Sequence, residues 1–183
     1  LLGCKVYVEN DANAAAYGEY IAGGAKGYND AVVITLGTGI GSGIILGGKI
    51  LRGFNFAAGE MGHNVIVKDG IQCTCGRRGC WERYASATAI IREARKYARL
   101  HPDCEIARAV DGDLDKITAK TVIDLAKAGA PDAAELFDSY VQYLCYGLVN
   151  LINLYDPEII ALGGGVSGAG EFLLNAVRAK LPE

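Results

Sequence analysis

The chain has 183 residues, enough for one domain or one large lobe, and its 51% hydrophobic and 21% charged residues exclude a disordered tail or linker. Eighteen basic against twenty-one acidic residues give a net charge of −3, which argues against a nucleic-acid-binding module, because such a module needs a basic face to displace counterions. The 25 glycines are about twice the usual ~7% share and fall in short clusters with no collagen period, a pattern of tight turns or phosphate loops.

In chain order, Lys5–Glu9 is predicted as a short strand. Asn10 and Asp11 then offer two helix caps, and Ala12–Tyr20 reads as an Ala-rich helix. Ala31–Leu36 is a continuous apolar strand, as in a sheet covered on both faces. Gly37–Gly43 is expected to be a glycine loop. Ile44–Leu46 and Ile50–Leu51 form a hairpin around Gly47-Gly48. Gly53–Glu60 is a loop and Val65–Val67 a further strand, followed by a knuckle of cysteines. Glu82–Leu100 reads as one helix, ending before Pro102. Thr121–Lys127 and Ala133–Tyr155 are helices, Glu158–Leu162 is a strand closed by Gly163-Gly164-Gly165, and Gly170–Lys180 begins a last helix. Strands alternating with helices indicate an α/β fold. No repeat or low-complexity tract is present. The first residues read as the middle of a strand, so the chain is expected to be a fragment.

Two uncharged stretches invite a membrane reading, and both fail it. In residues 31–48, six of eighteen positions are Gly, which suits two strands around a turn. Residues 139–155 carry Ser139, Gln142, Asn150 and Asn153 and are too short for a full span, so they read as a buried helix. No signal or lipidation pattern is visible. Helix 133–155 is apolar round most of its circumference, which predicts burial on most sides and a possible dimer contact.

Of six cysteines, Cys73, Cys75 and Cys80 crowd together, while Cys4, Cys104 and Cys145 are scattered and expected to be core thiols. Cys-x-Cys-x₄-Cys brings three thiolates within reach of one ion, and His63, ten residues upstream, supplies a fourth ligand. Cys₃His is a closed tetrahedral zinc set, and it suits a reducing cytoplasm. Glu60 and Glu82 flank this set. Carboxylates accept hydrogen bonds from vicinal hydroxyls, and a zinc-bound His63 has its other ring nitrogen fixed as an N–H donor, so the group suits a polyol. Taken as two isolated glutamates, Glu60 and Glu82 read first as solvated loop charges.

The run Gly37-Thr38-Gly39-Ile40-Gly41-Ser42-Gly43 follows a buried strand, where bare N–H groups and the Thr38 hydroxyl could approach phosphate oxygens. It is not a dinucleotide fingerprint, because Ser42 stands at the last glycine and a strand follows. Nor is Gly43–Gly48-Lys49 a P-loop, since Ile50 replaces the Mg²⁺-binding hydroxyl. Backbone sterics alone would also explain the glycines. Gly163, Gly164 and Gly165 repeat the pattern after a later strand, at the carboxyl end where open α/β sheets bind ligands, although taken alone the run reads first as a strand-to-helix turn. Asp11, at a helix N-terminus that favours its ionised form, is either a cap or a general base that accepts a proton from a hydroxyl.

Together these segments resemble the ROK family (repressors, uncharacterised frames and sugar kinases), most closely its bacterial glucokinase branch. The resemblance runs through Glu9-Asn10-Asp11-Ala12-Asn13-Ala14-Ala15-Ala16, Leu36-Gly37-Thr38-Gly39-Ile40-Gly41, Ala58-Gly59-Glu60-Met61-Gly62-His63, Cys73–Glu82 and Pro157–Ser167, in the family order. It implies an actin-like (ribonuclease H-like) ATPase fold whose large lobe carries a zinc-knuckle insertion. It also implies ATP- and Mg²⁺-dependent phosphorylation of a hexose, with glucose the leading candidate. Carried over by position, Asp11 is the base for the sugar's 6-hydroxyl, and Asn10, Glu60, His63 and Glu82 hold the sugar. Gly37, Thr38, Gly39, Gly41, Gly163, Gly164 and Gly165 contact the nucleotide, and His63, Cys73, Cys75 and Cys80 hold a structural zinc. A homodimer is also implied. Residues 1–183 are then a single large lobe, with its zinc and sugar segment at 60–82. The family's small N-terminal lobe, with its Asp-x-Gly-x-Thr loop, and its extreme C-terminus are expected to lie outside this sequence. The competing expectations are the sugar-sensing half of a ROK repressor, or a kinase for another hexose such as an N-acetylhexosamine. Ala85-Ser86-Ala87-Thr88 differs from the Ser-Gly of many repressor relatives and favours the glucokinase branch.

Overall fold

The computed structural model describes residues 3–6 and 8–181. Helix α1 spans Asp11–Ala22, and strands β1 (Ala31–Leu36), β2 (Ile40–Leu46) and β3 (Lys49–Ile50) follow it. A 3₁₀ turn, Met61–His63, precedes the knuckle. Helices α2 (Glu82–Ala85), α3 (Ala87–Leu100), α4 (Glu105–Arg108), α5 (Ala119–Lys127) and α6 (Pro131–Tyr155) come next, then β4 (Ile159–Gly163) and α7 (Glu171–Arg178). The sheet order is β3-β2-β1-β4, with β1 antiparallel to β2 and parallel to β4.

Strand β1 is apolar throughout because both its faces are covered. Val32, Ile34 and Leu36 join the main core, built with α3, α5, α6 and α7, while Ala31 and Val33 belong to a smaller core with Ala16 of α1 and Ile45 of β2. The alternation follows from the strand period of two. Helix α1 lies close across β2: a Cβ on Gly43 would come within 2.3 Å of the Ala16 Cβ, so the strand surface there has to be glycine. That corrects the expected Gly37–Gly43 loop. Only residues 37–39 form the turn, and Gly41 and Gly43 are strand residues under a helix.

Other differences have identifiable causes. Among the described residues of the expected first strand, Lys5, Val6, Val8 and Glu9 form no strand and are exposed; Tyr7 lies outside the described residues. The expected strand Val65–Val67 reduces to one bridge, Val65 to Cys80, because the Ile66 and Val67 N–H groups both turn to the Gly79 carbonyl. The expected helix 82–100 breaks at Ser86, which is extended and caps α3 by accepting from the Ala89 N–H at 3.1 Å. Continuing the helix would need the Ala87 N–H, which instead donates to the Gly37 carbonyl at 2.9 Å. Cys145 is buried as expected, Cys104 is half-buried, and Cys4 is exposed rather than a core thiol.

Helix α6 buries Phe137, Tyr140, Val141, Leu144, Leu148 and Leu151, but leaves Tyr146, Ile152 and Leu154 exposed, so it is covered on fewer sides than its composition suggested. No helix among the described residues is long and apolar enough to cross a membrane.

Candidate active site

The segment before α1 is fixed by side chains. Asn10 is the N-cap, its Oδ1 accepting from the N–H groups of Ala12 (2.9 Å) and Asn13 (3.1 Å). Asp11 therefore does not carry the cap, although its own Oδ1 accepts from the Ala12 N–H at 2.8 Å. Glu9 accepts from Arg52 Nε at 2.8 Å and pairs with Arg52 Nη2 at 2.6 Å. The guanidinium holds the Glu9 carboxyl below its ordinary range, and the pair ties this segment to the chain beyond β3.

The loop that presents Glu60 and His63 is held by Ser42 of β2. Its hydroxyl donates to the Gly59 carbonyl and accepts from the Met61 N–H at 3.0 Å. The knuckle is anchored by Trp81, which is fully buried and donates from its indole N–H to the Tyr143 carbonyl of α6 at 2.9 Å. Glu82 follows directly, at the start of α2.

These supports bring the predicted residues together. Asp11, Glu60, His63 and Glu82 line one cleft of about 420 Å³ with Gly37, Thr38, Gly39, Gly41 and Gly164. Asn10 lies just outside the lining, its side-chain amide donating to Glu60 Oε1 at 3.4 Å. Gly163 and Gly165 flank the cleft in sequence but do not line it. Thr35, which sequence reasoning passed over as a strand residue, also lines it. Glu82 reaches both the His63 and Cys73 side chains and the glycine turn: Oε1 accepts from the Cys73 thiol at 3.1 Å and lies 3.7 Å from His63 Nδ1, while Oε2 occupies the space that a Cβ on Gly39 would fill, 2.7 Å away. Thr88, near the start of α3, donates to the Thr38 carbonyl at 2.7 Å and fixes the turn from behind. Neither Thr88 nor Ser42 carried a local signal, since each acts on a partner distant in the chain.

His63, Cys73, Cys75 and Cys80 place their ligand atoms within 4.8 Å of one another. Cys73 Sγ is 3.6 Å from His63 Nδ1, and Cys75 Sγ is 3.6 Å from Cys80 Sγ. A tetrahedron with Zn–S bonds of ~2.3 Å has S–S edges of ~3.8 Å, so the donor set fits zinc in type, number and spacing. Hydrogen bonds from the Arg77 backbone and guanidinium lower the Cys75 thiol to about 6, and burial raises that of Cys80.

The whole chain, residues 1–183, matches the ROK family. The chain belongs to that family. A glucokinase of Streptomyces coelicolor is 44% identical over 179 residues, 97% of this chain and 56% of that protein. A crystal structure of a ROK family glucokinase from Streptomyces griseus, in complex with glucose and AMPPNP, superposes with a TM-score of 0.89 at 44% identity, covering 98% of this chain and 58% of that one. A xylose repressor of Bacillus spizizenii is 33% identical over 176 residues, 96% of this chain and 42% of the repressor. The fold is the actin-like α/β fold of the ROK glucokinases. The chain spans about half the length of the curated relatives it matches.

Proposed function

We propose that the chain serves as the large lobe of an ATP-dependent hexose kinase and that its substrate is glucose. The observation that carries this is the single cleft in which four groups suited to a sugar and its reacting hydroxyl face a glycine turn suited to phosphate. In this reading Asp11 accepts the proton of the 6-hydroxyl. Asn10, Glu60, His63 and Glu82 hold the other hydroxyls, and the backbone around Gly37, Thr38, Gly39, Gly41, Gly163, Gly164 and Gly165 receives ATP with its Mg²⁺. Phosphoryl transfer asks for in-line positioning and charge stabilisation more than covalent chemistry, which such a cleft supplies. The glucokinase relatives and the glucose and AMPPNP complex of the Streptomyces griseus enzyme support the substrate pair. The relatives' greater length supports a two-lobed whole, in which a second lobe brings the phosphate loop. Zinc at His63, Cys73, Cys75 and Cys80 is structural in this reading, because four protein ligands leave no position for a reacting water. The reduced thiols it needs suit the cytoplasm.

The test is Asp11→Asn in the full-length protein. Asn keeps the Oδ1 that accepts from Ala12, and Asn10 holds the cap, so the melting temperature should not change. Loss of a general base lowers kcat by about 10²–10⁴-fold. Unchanged turnover with intact folding would remove Asp11 from catalysis. A second reading, the sugar-sensing half of a repressor, has the xylose repressor relatives in its favour. It predicts saturable sugar binding with no ATP-dependent product.

A further inference from the structure

Strand β1 reads Ala-Val-Val-Ile-Thr-Leu, and Thr35 is its one polar residue. Side chains alternate along a strand, so Thr35 shares a face with Ala31 and Val33. Those two are buried in the small core with Ala16 of α1, whereas Thr35, near the carboxyl end of the strand, is half-buried and lines the cleft.

Both cross-strand partners of Thr35 are glycine, Gly41 on β2 and Gly163 on β4. Directly opposed residues project to the same face, so no side chain screens the threonine from either strand. A Cβ on Gly163 would meet only a backbone oxygen 3.9 Å away, which leaves the β4 side open. A Cβ on Gly41 would lie 2.5 Å from the Thr35 hydroxyl oxygen and 3.0 Å from the Ala12 Cβ. The hydroxyl therefore leans over Gly41 toward the first turn of α1, where Ala12 follows Asp11. It makes no hydrogen bond among the described residues, and unlike the Tyr140 hydroxyl it is not sealed from solvent.

The charge of the cleft gives such a donor a use. Asp11, Glu60 and Glu82 line it, and no lysine or arginine does. A nucleoside triphosphate entering a lining of that sign has to be held by N–H and O–H donors and by the cation it carries. The lining offers two hydroxyls, Thr35 and Thr38. A hydroxyl can donate a charge-assisted hydrogen bond to a phosphate oxygen. Being neutral, it does so without stabilising the Asp11 carboxylate as an adjacent cation would, and so without weakening it as a base.

We infer that Thr35 is a phosphate ligand, its hydroxyl donating to an oxygen of the γ-phosphoryl group beside Asp11. The inference rests on the kinase reading of the cleft. In that reading the base and the transferred group meet at one sugar hydroxyl, so a donor next to the base faces the γ-phosphoryl group rather than the remainder of the nucleotide.

The experiment compares AMPPNP with ADP, which lacks the γ-group, by calorimetry with Mg²⁺ on the full-length wild type, Thr35→Val and Thr35→Ser, beside steady-state rates and thermal melts. Valine keeps the β-branched shape and removes a hydroxyl that bonds nothing in the protein, so Thr35→Val should melt at the wild-type temperature or above. It should bind glucose and ADP as the wild type does, bind AMPPNP more weakly, and lose roughly 10- to 150-fold in kcat, the range for a hydrogen bond to a charged group. Thr35→Ser, which retains the hydroxyl, should recover most of the turnover. Thr35→Ala also removes the hydroxyl and reads the same outcome should Thr35→Val fold poorly. In a wild type that turns over, unchanged kcat or AMPPNP affinity in Thr35→Val, equal weakening of ADP, or a Thr35→Ser as impaired as Thr35→Val would each overturn the role of Thr35 alone. A wild type that binds no nucleotide or phosphorylates no hexose would overturn the kinase reading, and this role with it.

Discussion

Glu82 lies against the glycine turn at Gly39, and Gly39→Ala probes that contact with little disturbance elsewhere. Gly39 is not among the glycines with positive φ, so alanine meets no backbone strain there. The new Cβ would lie 2.7 Å from Glu82 Oε2 and 3.8 Å from its Cδ, with no other atom within 4 Å. Ordinary contact distances begin near ~3.5 Å, so the carboxylate must retreat by roughly 0.8 Å, and it alone has to move. Replacing glycine at a compatible site stabilises by about 0.4–1 kcal/mol through the unfolded chain. Melting temperature should therefore hold or rise. If Glu82 accepts from a sugar hydroxyl, displacing it removes a charge-assisted hydrogen bond of about 1.5–3 kcal/mol, or roughly 10- to 150-fold in affinity. The assay is glucose affinity of the full-length variant, by calorimetry, beside a thermal melt. Unchanged affinity in a well-folded variant would refute the role of Glu82. A large drop in melting temperature would refute the claim that only the carboxylate has to yield.

Further predictions concern the knuckle and the assembly. Elemental analysis should find about one zinc per chain, and Cys80→Ser, at a fully buried ligand, should abolish it and lower the melting temperature; a metal-free protein with an intact knuckle would refute the zinc reading. In metal-free protein, alkylation of Cys75 by iodoacetamide should have its midpoint near pH 6, because Arg77 stabilises the thiolate, so the reactive form dominates above that pH and is lost below it. Arg77→Met should move that midpoint upward, and a wild-type midpoint at the ordinary thiol value would refute the Arg77 effect. Sedimentation should show a homodimer, with exposed Tyr146 of α6 and the neighbouring Val65 at the contact; Tyr146→Glu should give monomer, and a wild-type monomer at high concentration would refute the dimer.

What was legible in the sequence was what short-range physics controls. Ala31–Leu36 could be bounded to the residue because a six-residue apolar run followed by Gly-Thr-Gly admits little else. The clustering of His63, Cys73, Cys75 and Cys80 was legible because thiol and imidazole groups reveal themselves by type and spacing. Asp11, Glu60, His63 and Glu82 were chosen through their motifs, and the fold brought them to one cleft. Several of the misses depend on partners far along the chain. Ser86 breaks a helix because the Ala87 N–H goes to Gly37, fifty residues away, and no window around Ser86 contains that acceptor. Ser42 looked like a defect in a glycine fingerprint, yet its hydroxyl holds the loop of Glu60 and His63. Gly41 and Gly43 looked like loop, and they are strand residues made small by α1.

These long-range bonds converge on one arrangement. The N-terminus of α3 is bonded to the glycine turn twice, by the Ala87 N–H to Gly37 and by the Thr88 hydroxyl to Thr38, while Glu82, a few residues earlier, lies against Gly39 and accepts from Cys73. The short segment Glu82–Thr88 therefore joins the cysteine knuckle to the glycine turn of the cleft. In the proposed kinase a hydroxyl and a phosphate have to be held within bonding range of each other, with errors below about an ångström, and a link between the proposed sugar and nucleotide groups answers that need. The break at Ser86 fits the same account. An unbroken helix would keep the Ala87 N–H inside its own ladder and leave the turn without one of its two supports.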